Sequence, residues 1–434
     1  MEWWLTGVIL FSSLLIFLAS GIPVAFGLGF LSLIAMYILW GFDGLIILAT
    51  TSYTTNVHFM LIAVPLFIFM GECIAVSGIG KDAFEMIDTW LGFLPGGIAV
   101  TSVGTCTIFG AVTGFSPATC AALGPVTIPE MLRRGYDKGF SVGAIATGAG
   151  IAIIIPPSTL MVLYGFLAEV SIGKLFLGGV IPGLILSAVI IISIIIRASL
   201  NPKLAPYRKK SDWKERINKS VFVAPFVALI LLVLGTIWGG VATPTEGAAL
   251  GATGGLVLLM LYGRLNWPTF REIIIATVRV NCMVMFILIG ATLFTEVLAY
   301  VGFTAKLAEW ATSLVISRWF IFAFMMVSIF FMGCVMDPGS ILFITIPIFL
   351  PIIQNLGFDP LWFGIVILLN LEIATITPPV GLNLYVLKGV APPEVSLDDI
   401  VRGAAPYWFI DAIALFVIVL FPALVTWLPN AFIK

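Results

Sequence analysis

Charged side chains are scarce in this chain. Of its 434 residues only 10% are Asp, Glu, Lys or Arg, whereas a soluble globular domain usually carries about 25%. The net charge is −1, so no positive excess indicates nucleic acid as a partner. Hydrophobic residues make up 61% of the chain, in runs of about 20 rather than in the alternating segments of about 10 that build a transmembrane barrel. The composition excludes a disordered chain and an ordinary soluble enzyme, and it predicts an all-α polytopic membrane protein.

Catalytic and metal-binding residues are equally sparse. The chain has one histidine, His58, and its five cysteines form no C-x-x-C pair, which argues against a zinc cluster. It has no H-E-x-x-H, G-x-S-x-G or Walker sequence. We therefore expect a protein that is not an enzyme, has no catalytic residues and carries no cofactor. An intramembrane enzyme acting on a lipid-linked substrate is a remote alternative, since a catalytic cluster is missing.

Apolar runs that could each cross a membrane occur throughout the chain. Those without helix-breaking sequences are 3–20, 22–40, 58–79, 176–196, 221–238, 248–262, 280–303 and 406–428. Two amphipathic stretches, 81–97 and 263–275, are expected to lie on the membrane surface. The start MEWWLTG lacks the basic region of a cleaved signal peptide, so we expect the first span to be retained.

The segment 201–220 is the only long polar stretch. It holds seven of the 21 basic residues of the chain, and the positive-inside rule predicts that it is a cytoplasmic loop. Beyond setting this orientation, we interpret the segment as a solvated linker without a specific function. Counting spans back from this loop places the N-terminus outside.

The two halves of the chain, 1–200 and 221–434, resemble each other. Six positions of the first half recur 222 residues later: Pro125, Pro129, Gly135, Asp137, Pro156 and Pro157 correspond to Pro347, Pro351, Gly357, Asp359, Pro378 and Pro379. Because the first half begins outside and the second begins in the cytoplasm, the copies are predicted to be inverted. Inverted repeats with Gly/Pro-interrupted segments at matching positions are typical of secondary transporters.

Four segments break the rules of helix formation, two in each half. Segments 98–129 and 319–351 are predicted to be re-entrant hairpins, with tips near 113–118 and 337–340. Segments 140–167 and 361–387 each contain a Pro-Pro pair, which removes two backbone donors, and are predicted to be discontinuous helices. Unwound backbone inside a membrane is tolerated where it lines a cavity. Its carbonyls suit sodium, and helix N-termini suit an anion; proline kinks relieved by packing are the alternative.

Acidic residues inside apolar spans are costly and often functional. The candidates are Glu72, Glu246, Glu296, Asp337, Glu372 and Asp411. Asp337 could serve the site or cap a helix, and Glu372 could tune the site or have a structural partner. Glu246 is expected to cap the helix that begins near it; the others are expected to be buried and hydrogen-bonded.

Several segments resemble one family. They are GIPVAFGLG, PLFIFMGE, TPTEGAALG, MDPGS with PIFLPI, and FGIVILLNLEIATITPPVGLNLYV. The chain is similar along its whole length to the large membrane subunit of tripartite ATP-independent periplasmic (TRAP) transporters. The resemblance implies a sodium-coupled importer of organic acid anions in the bacterial inner membrane that works as an elevator. It implies two partners, a small four-helix membrane subunit and a periplasmic substrate-binding protein. We expect the small subunit to be a separate polypeptide.

The resemblance also implies binding residues. One sodium site would use Thr113, Gly114, Ser116, Gly148 and Gly150, and the other Asp337, Gly339, Ser340, Thr375 and Thr377. Substrate would lie near Ser116, Pro156, Pro157, Pro378, Pro379 and Asn383. The first hairpin departs from the family's common SGSSVAT, because Phe115 and Pro117 replace smaller or aliphatic residues.

Four kinds of substrate fit the resemblance: a C4-dicarboxylate, a sialic acid, another sugar acid and a sulfonate. The helix breaks and the repeat also fit two kinds of transporter that work without a binding protein. One is a stand-alone ion-coupled anion carrier, and the second is a sodium–proton antiporter of similar architecture.

Overall fold

The computed structural model describes residues 2–206 and 212–433, and within these ranges the regular structure is helical. Short three-ten turns, Phe59–Ile62 and Ile151–Ile153, join some of the helices. The α-helices are α1 (Trp3–Ala19), α2 (Val24–Trp40), α3 (Asp43–Asn56), α4 (Ala63–Ser77), α5 (Ile79–Leu91), α6 (Gly97–Thr113), α7 (Ser116–Arg133), α8 (Lys138–Gly150), α9 (Thr159–Leu167), α10 (Ile172–Leu200), α11 (Trp213–Trp238), α12 (Pro244–Leu261), α13 (Trp267–Tyr300), α14 (Phe303–Ser313), α15 (Arg318–Gly333), α16 (Pro338–Asn355), α17 (Pro360–Thr375), α18 (Leu382–Val390), α19 (Leu397–Leu420) and α20 (Ala423–Phe432).

Many of these helices can cross a bilayer. Seven helical segments in the described ranges are long and apolar enough to span it, and the longest, α13, has 34 residues. Large apolar side chains point outward along them, for example Leu231 on α11 and Phe409 on α19, which are 64% and 72% exposed. Because such surfaces are stable in lipid rather than in water, the chain is a multi-pass membrane protein.

The helices around the breaks recur in the second half at a nearly constant spacing. Helices α7 and α16 begin and end 222 residues apart, and so do the starts of α8 and α17. Each of the pairs α8–α9 and α17–α18 is separated by a Pro-Pro sequence with a cis peptide bond. Asp137 and Asp359 cap α8 and α17 by accepting hydrogen bonds from Phe140 N (2.8 Å) and Leu361 N (2.7 Å). The aspartates recur in sequence because each one starts a helix.

Side-chain and backbone contacts join parts of the chain that are distant in sequence. Lys219 forms an ion pair with Glu85, Asp137 N donates to Leu204 O (3.1 Å), and Lys138 Nζ donates to the carbonyl of Glu394 (2.8 Å). Aromatic pairs such as Trp3 with Phe303 and Trp40 with Tyr300 join further helices.

Three boundaries differ from those expected. The segment 201–220 was predicted to be a loop, yet α11 begins at Trp213, because Arg216 packs on the rings of Trp90 and Trp213. The centre of that segment, 207–211, lies outside the described residues. The stretch 263–275 and the span 280–303 form the continuous helix α13, whose N-cap Asn266 precedes a proline in the first turn, where a missing N–H costs little.

The third difference is at the C-terminal end. The expected span 406–428 is divided between α19 and α20, because α19 ends at Leu420 and Pro422 follows. Helix α3 was not predicted, since its Thr- and Ser-rich second half resembles a loop. Its Thr51 donates to the carboxylate of Glu296 on α13 (2.8 Å). Because Glu296 lies far away in the chain, the sequence around Thr51 does not indicate this contact.

Candidate functional site

The first helix break lies between α6 and α7. Gly114 turns the chain with φ +56, and a Cβ there would lie 2.9 Å from Thr159 N. Both the left-handed conformation and the contact with the start of α9 therefore require glycine. Thr113 and Thr119 join their hydroxyls across the turn (2.7 Å). The turn is thus fixed and lies against the second of the two broken-helix pieces.

The second break lies between α15 and α16. Asp337 caps α16: its carboxylate accepts from Ser340 N (2.9 Å) and from Ser340 Oγ (2.5 Å). Of the two roles left open for Asp337, the capping role is therefore observed. The carbonyl of Cys334 accepts from Val380 N (3.0 Å) and Gly381 N (3.1 Å). These bonds attach the turn to the unwound strand between α17 and α18.

Side chains satisfy some of the backbone carbonyls at the unwound strands. Ser158 Oγ donates to the carbonyl of Ile153 (2.7 Å), and Thr377 Oγ1 donates to that of Ile373 (2.7 Å). Trp408 on α19 donates its indole N–H to the carbonyl of Ile376 (2.7 Å). Hydroxyls and carbonyls therefore lie together where each helix is interrupted.

Asn383 joins three of the interrupted elements. Its side-chain oxygen accepts from Ser116 Oγ at the start of α7 (3.1 Å), and its Nδ2 donates to Thr375 Oγ1 at the end of α17 (3.2 Å) and to the carbonyl of Ala146 on α8 (3.5 Å). Ser116, Thr375 and Asn383 are all fully buried. The expected substrate residue Asn383 is thus a connection between the breaks and does not line the cavity described next.

A cavity of about 160 Å³ lies beside both turns. Thr113 and Phe115 contribute from the first turn, Asp337 and Gly339 from the second, and Thr159 from the start of α9. Helices α4 and α13 form the facing wall. The remaining lining residues are Ile68, Gly71, Glu72, Ala75, Ala118, Leu160, Leu163, Val280, Met283, Val284, Ile287 and Phe343.

Several of the predicted residues lie away from this cavity. A Cβ on Gly148 would contact Val103, ten residues before the end of α6 and therefore about 15 Å along the helix from Thr113. A Cβ on Gly150 would collide with the Glu372 carboxylate. The four prolines lie in the unwound strands: Pro156 and Pro157 are buried, Pro378 is half-buried and Pro379 is exposed.

The intramembrane acids have different surroundings. Glu246 completes a capping box with Thr243 at the start of α12, as its capping role predicted, and Glu296 is hydrogen-bonded to Thr51. Glu372 and Asp411 are fully buried, and neither carboxylate is hydrogen-bonded to a described residue. The expectation that Asp411 is hydrogen-bonded is therefore wrong in the described structure, and Glu372 has no hydrogen-bonding structural partner there. In the described ranges no three His, Cys, Asp or Glu side chains gather as a metal site.

Sequence reasoning missed Trp408 and the apolar cavity wall. Trp408 is 32 residues from the carbonyl that it satisfies, and nothing in the residues around it indicates that contact. Leu160, Met283 and Ile287 read as ordinary membrane-span residues, so no local signal distinguishes them.

Comparisons with known proteins agree with one another. Residues 11–424 match the family described as "Tripartite ATP-independent periplasmic transporter, DctM component". A protein of Pseudomonas aeruginosa named "C4-dicarboxylate TRAP transporter large permease protein DctM" is 34% identical over 88% of this chain and 89% of its own length. The "Isethionate TRAP transporter permease protein DctMQ" of Oleidesulfovibrio alaskensis is 34% identical over 89% of this chain, which covers 61% of that protein. These relatives are named as permeases, which fits the expectation of a protein that is not an enzyme.

Solved structures show the same fold at low identity. The YdaH transporter of Alcanivorax borkumensis superposes with a TM-score of 0.62, at 15% identity, over 88% of this chain and 89% of that chain. MtrF of Neisseria gonorrhoeae superposes with a TM-score of 0.61, at 13% identity, over 88% and 85%. With a family match over nearly the whole chain and relatives above 30% identity, the chain belongs to the large-permease (DctM) component family of tripartite ATP-independent periplasmic transporters.

Proposed function

We propose that this chain is the transporting subunit of a sodium-coupled system that imports an organic acid anion across the bacterial inner membrane. The observation that supports the proposal is that the helix breaks of the two halves lie next to one another. Asn383 links α7, α8 and the end of α17, and the two hairpin turns share one cavity. Helix ends, hydroxyls and unwound backbone in one place are the groups that bind sodium and a carboxylate together.

The repeat supports an alternating-access mechanism. We propose that the two halves are inverted in the membrane and that α6–α7 and α15–α16 re-enter it as hairpins. In this arrangement the hairpins and the broken helices α8–α9 and α17–α18 move as one unit against α4 and α13. The apolar residues of the facing wall, such as Ile68 and Val280, favour sliding because they make no directional bonds across the cavity.

Two partners complete the system. A periplasmic substrate-binding protein delivers the anion, and a small four-helix membrane subunit supports the chain. The relative named DctMQ is longer than this chain, which is consistent with a second membrane component joined to it in that protein. Relatives are named for the transport of C4-dicarboxylates and of 2,3-diketo-L-gulonate, which are organic acid anions.

The sodium ligands are proposed at the two turns and the unwound strands. Thr113, Gly114 and Ser116 belong to the first site, with Gly150 contributing from the end of α8; Gly148, about 15 Å along α6 from Thr113, is too far away to share that ion. Asp337, Gly339, Ser340, Thr375 and Thr377 belong to the second. Within each set the assignment is best supported for the first three residues, because these three lie together in one short turn.

Reconstituted transport tests the proposal. The chain and its small partner are placed in proteoliposomes with an inward sodium gradient and a panel of labelled organic acids, with and without the binding protein. We expect uptake of at least one acid only when both sodium and the binding protein are present. Matched vesicles with an equal potassium gradient provide the control.

Two outcomes would contradict the proposal in different ways. Uptake that needs sodium but not the binding protein would establish a stand-alone carrier. Uptake at the same rate with and without the sodium gradient would show that sodium is not the coupling ion. It would also contradict the proposed role of the two turns as sodium sites.

A further inference from the structure

Glu72 is an unpaired carboxylate on the wall of the cavity. Its half-buried side chain lies on α4 and lines the cavity together with Ile68, Gly71 and Ala75 of the same helix. Among the described residues none forms a hydrogen bond or an ion pair with it, so the expectation that Glu72 is hydrogen-bonded is wrong in the described structure. The charged side chain that acts on it is another acid, Glu272 of α13. Its own negative charge is therefore not compensated within the described structure.

The second half has an equivalent glutamate, and that one is paired. Glu72 precedes Gly78 by six residues, and the chain turns there with φ +80 between α4 and α5. Glu296 precedes Gly302 by six residues, and a turn of the same kind, with φ +71, separates α13 from α14. Both oxygens of Glu296 accept from Thr51 Oγ1 (2.8 and 3.0 Å), and Glu296 does not line the cavity. A structural role like that of Glu296 therefore does not explain Glu72.

The sodium site proposed at the first turn has no charged ligand of its own. Its proposed ligands, Thr113, Gly114, Ser116 and Gly150, offer only neutral oxygens. The second turn differs, because Asp337 provides a carboxylate there. A cation that leaves water for a buried site is costly unless an opposite charge offsets it. The first turn therefore needs a negative charge from another part of the chain.

Glu72 is placed to supply that charge. Glu72 and Thr113 line one cavity of about 160 Å³, and its described lining includes no Lys, Arg or His that would neutralise the carboxylate. Most of the lining is apolar, with side chains such as Leu163 and Ile287. Because water screens charges poorly in such a space, a carboxylate attracts a cation across it more strongly than in bulk water. A sodium ion at the first turn would thus lie in the field of Glu72.

We propose that Glu72 supplies the negative charge that favours sodium at the first turn. This inference rests on the proposed function and adds a residue of the facing wall to the ion site. Glu72 is a positioning residue: the oxygens of the turn hold the ion, and the carboxylate offsets its charge from across the cavity. Since α4 belongs to the wall and the turn to the unit proposed to move, sodium binds most tightly when the turn faces this cavity.

Sodium binding without substrate tests the inference. The chain with its small partner, purified in choline chloride, is titrated with sodium chloride at constant ionic strength, and the rise in unfolding temperature gives the sodium concentration for half-maximal effect. We expect Glu72→Gln, which keeps the size and removes the charge, to raise that concentration about tenfold. Without sodium the variant is expected to unfold at the same or a higher temperature, because an uncompensated charge is lost. A merely structural role predicts a lower one.

A matched control removes the same charge at the equivalent position. Glu296→Gln keeps an oxygen that accepts from Thr51 and is expected to leave the sodium response unchanged. A second test returns the charge to the cavity from another residue. Ala75 lies on the same face of α4 and lines the cavity, so Ala75→Glu in the Glu72→Gln background is expected to recover most of the sodium affinity.

A further variant covers the case in which Glu72→Gln does not fold. Ala75→Lys in the otherwise unmodified chain places a cation beside Glu72 and is expected to raise the half-maximal sodium concentration about tenfold as well. An unchanged sodium response in that variant would overturn the inference.

The failures can be told apart. An unchanged sodium response in Glu72→Gln, or an equal shift in Glu296→Gln, would overturn this inference while sodium-driven uptake of an organic acid still stood. The absence of sodium-driven uptake for every organic acid would overturn the proposed function as well.

Discussion

At the scale of single residues, Asn383 is the side chain that connects the helix breaks to one another. Its three hydrogen bonds reach α7, α8 and α17, and replacement by an apolar residue of similar size leaves Ser116 and Thr375 without that partner. A buried polar group without its hydrogen bond costs about 1–3 kcal/mol. We expect Asn383→Leu to lower the unfolding temperature and to reduce uptake strongly.

Asn370 provides the comparison for that prediction. It is also buried, and its side chain makes one hydrogen bond, to the carbonyl of Met326 (2.8 Å). We expect Asn370→Leu to reduce stability and to keep uptake. Equal losses of uptake in the two variants would mean that Asn383 contributes only to folding.

At the scale of helices, the sequence predicted best where a local signal starts or stops an element. The Pro-Pro pairs, Gly114 and the capping aspartates act on their own neighbours in the chain, so their positions could be recognised. The start of α11 and the presence of α3 depend on partners far away, such as Trp90 for Arg216 and Glu296 for Thr51. The cavity wall was not predictable for the same reason, since its lining residues come from five separate parts of the chain.

The capping box of α12 gives a prediction at this scale. Thr243 Oγ1 accepts from Glu246 N (3.3 Å), and Glu246 accepts from Thr243 N (2.7 Å). Losing an N-cap costs about 1 kcal/mol, so Thr243→Ala should lower the unfolding temperature in detergent. Thr253→Ala is the control, because Thr253 lies exposed within the same helix and bonds only to its own turn. Equal effects of the two variants would show that the box adds no stability.

At the scale of the whole molecule, the proposed inversion of the two halves can be tested at equivalent positions. Arg133 and Asn355 are the last residues of α7 and α16, 222 residues apart, and both are exposed. Inversion predicts that Arg133→Cys reacts with an impermeant maleimide from the cytoplasm and Asn355→Cys from the periplasm. The exposed Cys282 is first replaced by serine. Labelling of both positions from one side would exclude inversion.

The most direct measurement of the central account is the sodium dependence of uptake in variants of the two proposed ion sites. Ser116→Ala and Thr377→Val each remove one hydroxyl, from the first turn and from the second unwound strand. We expect each to raise the sodium concentration for half-maximal uptake about tenfold, which corresponds to about 1.4 kcal/mol. Thr253→Val, the same kind of change at an exposed site on α12, should leave it unchanged. An unaltered sodium response in both site variants would contradict the claim that the helix breaks bind the coupling ions.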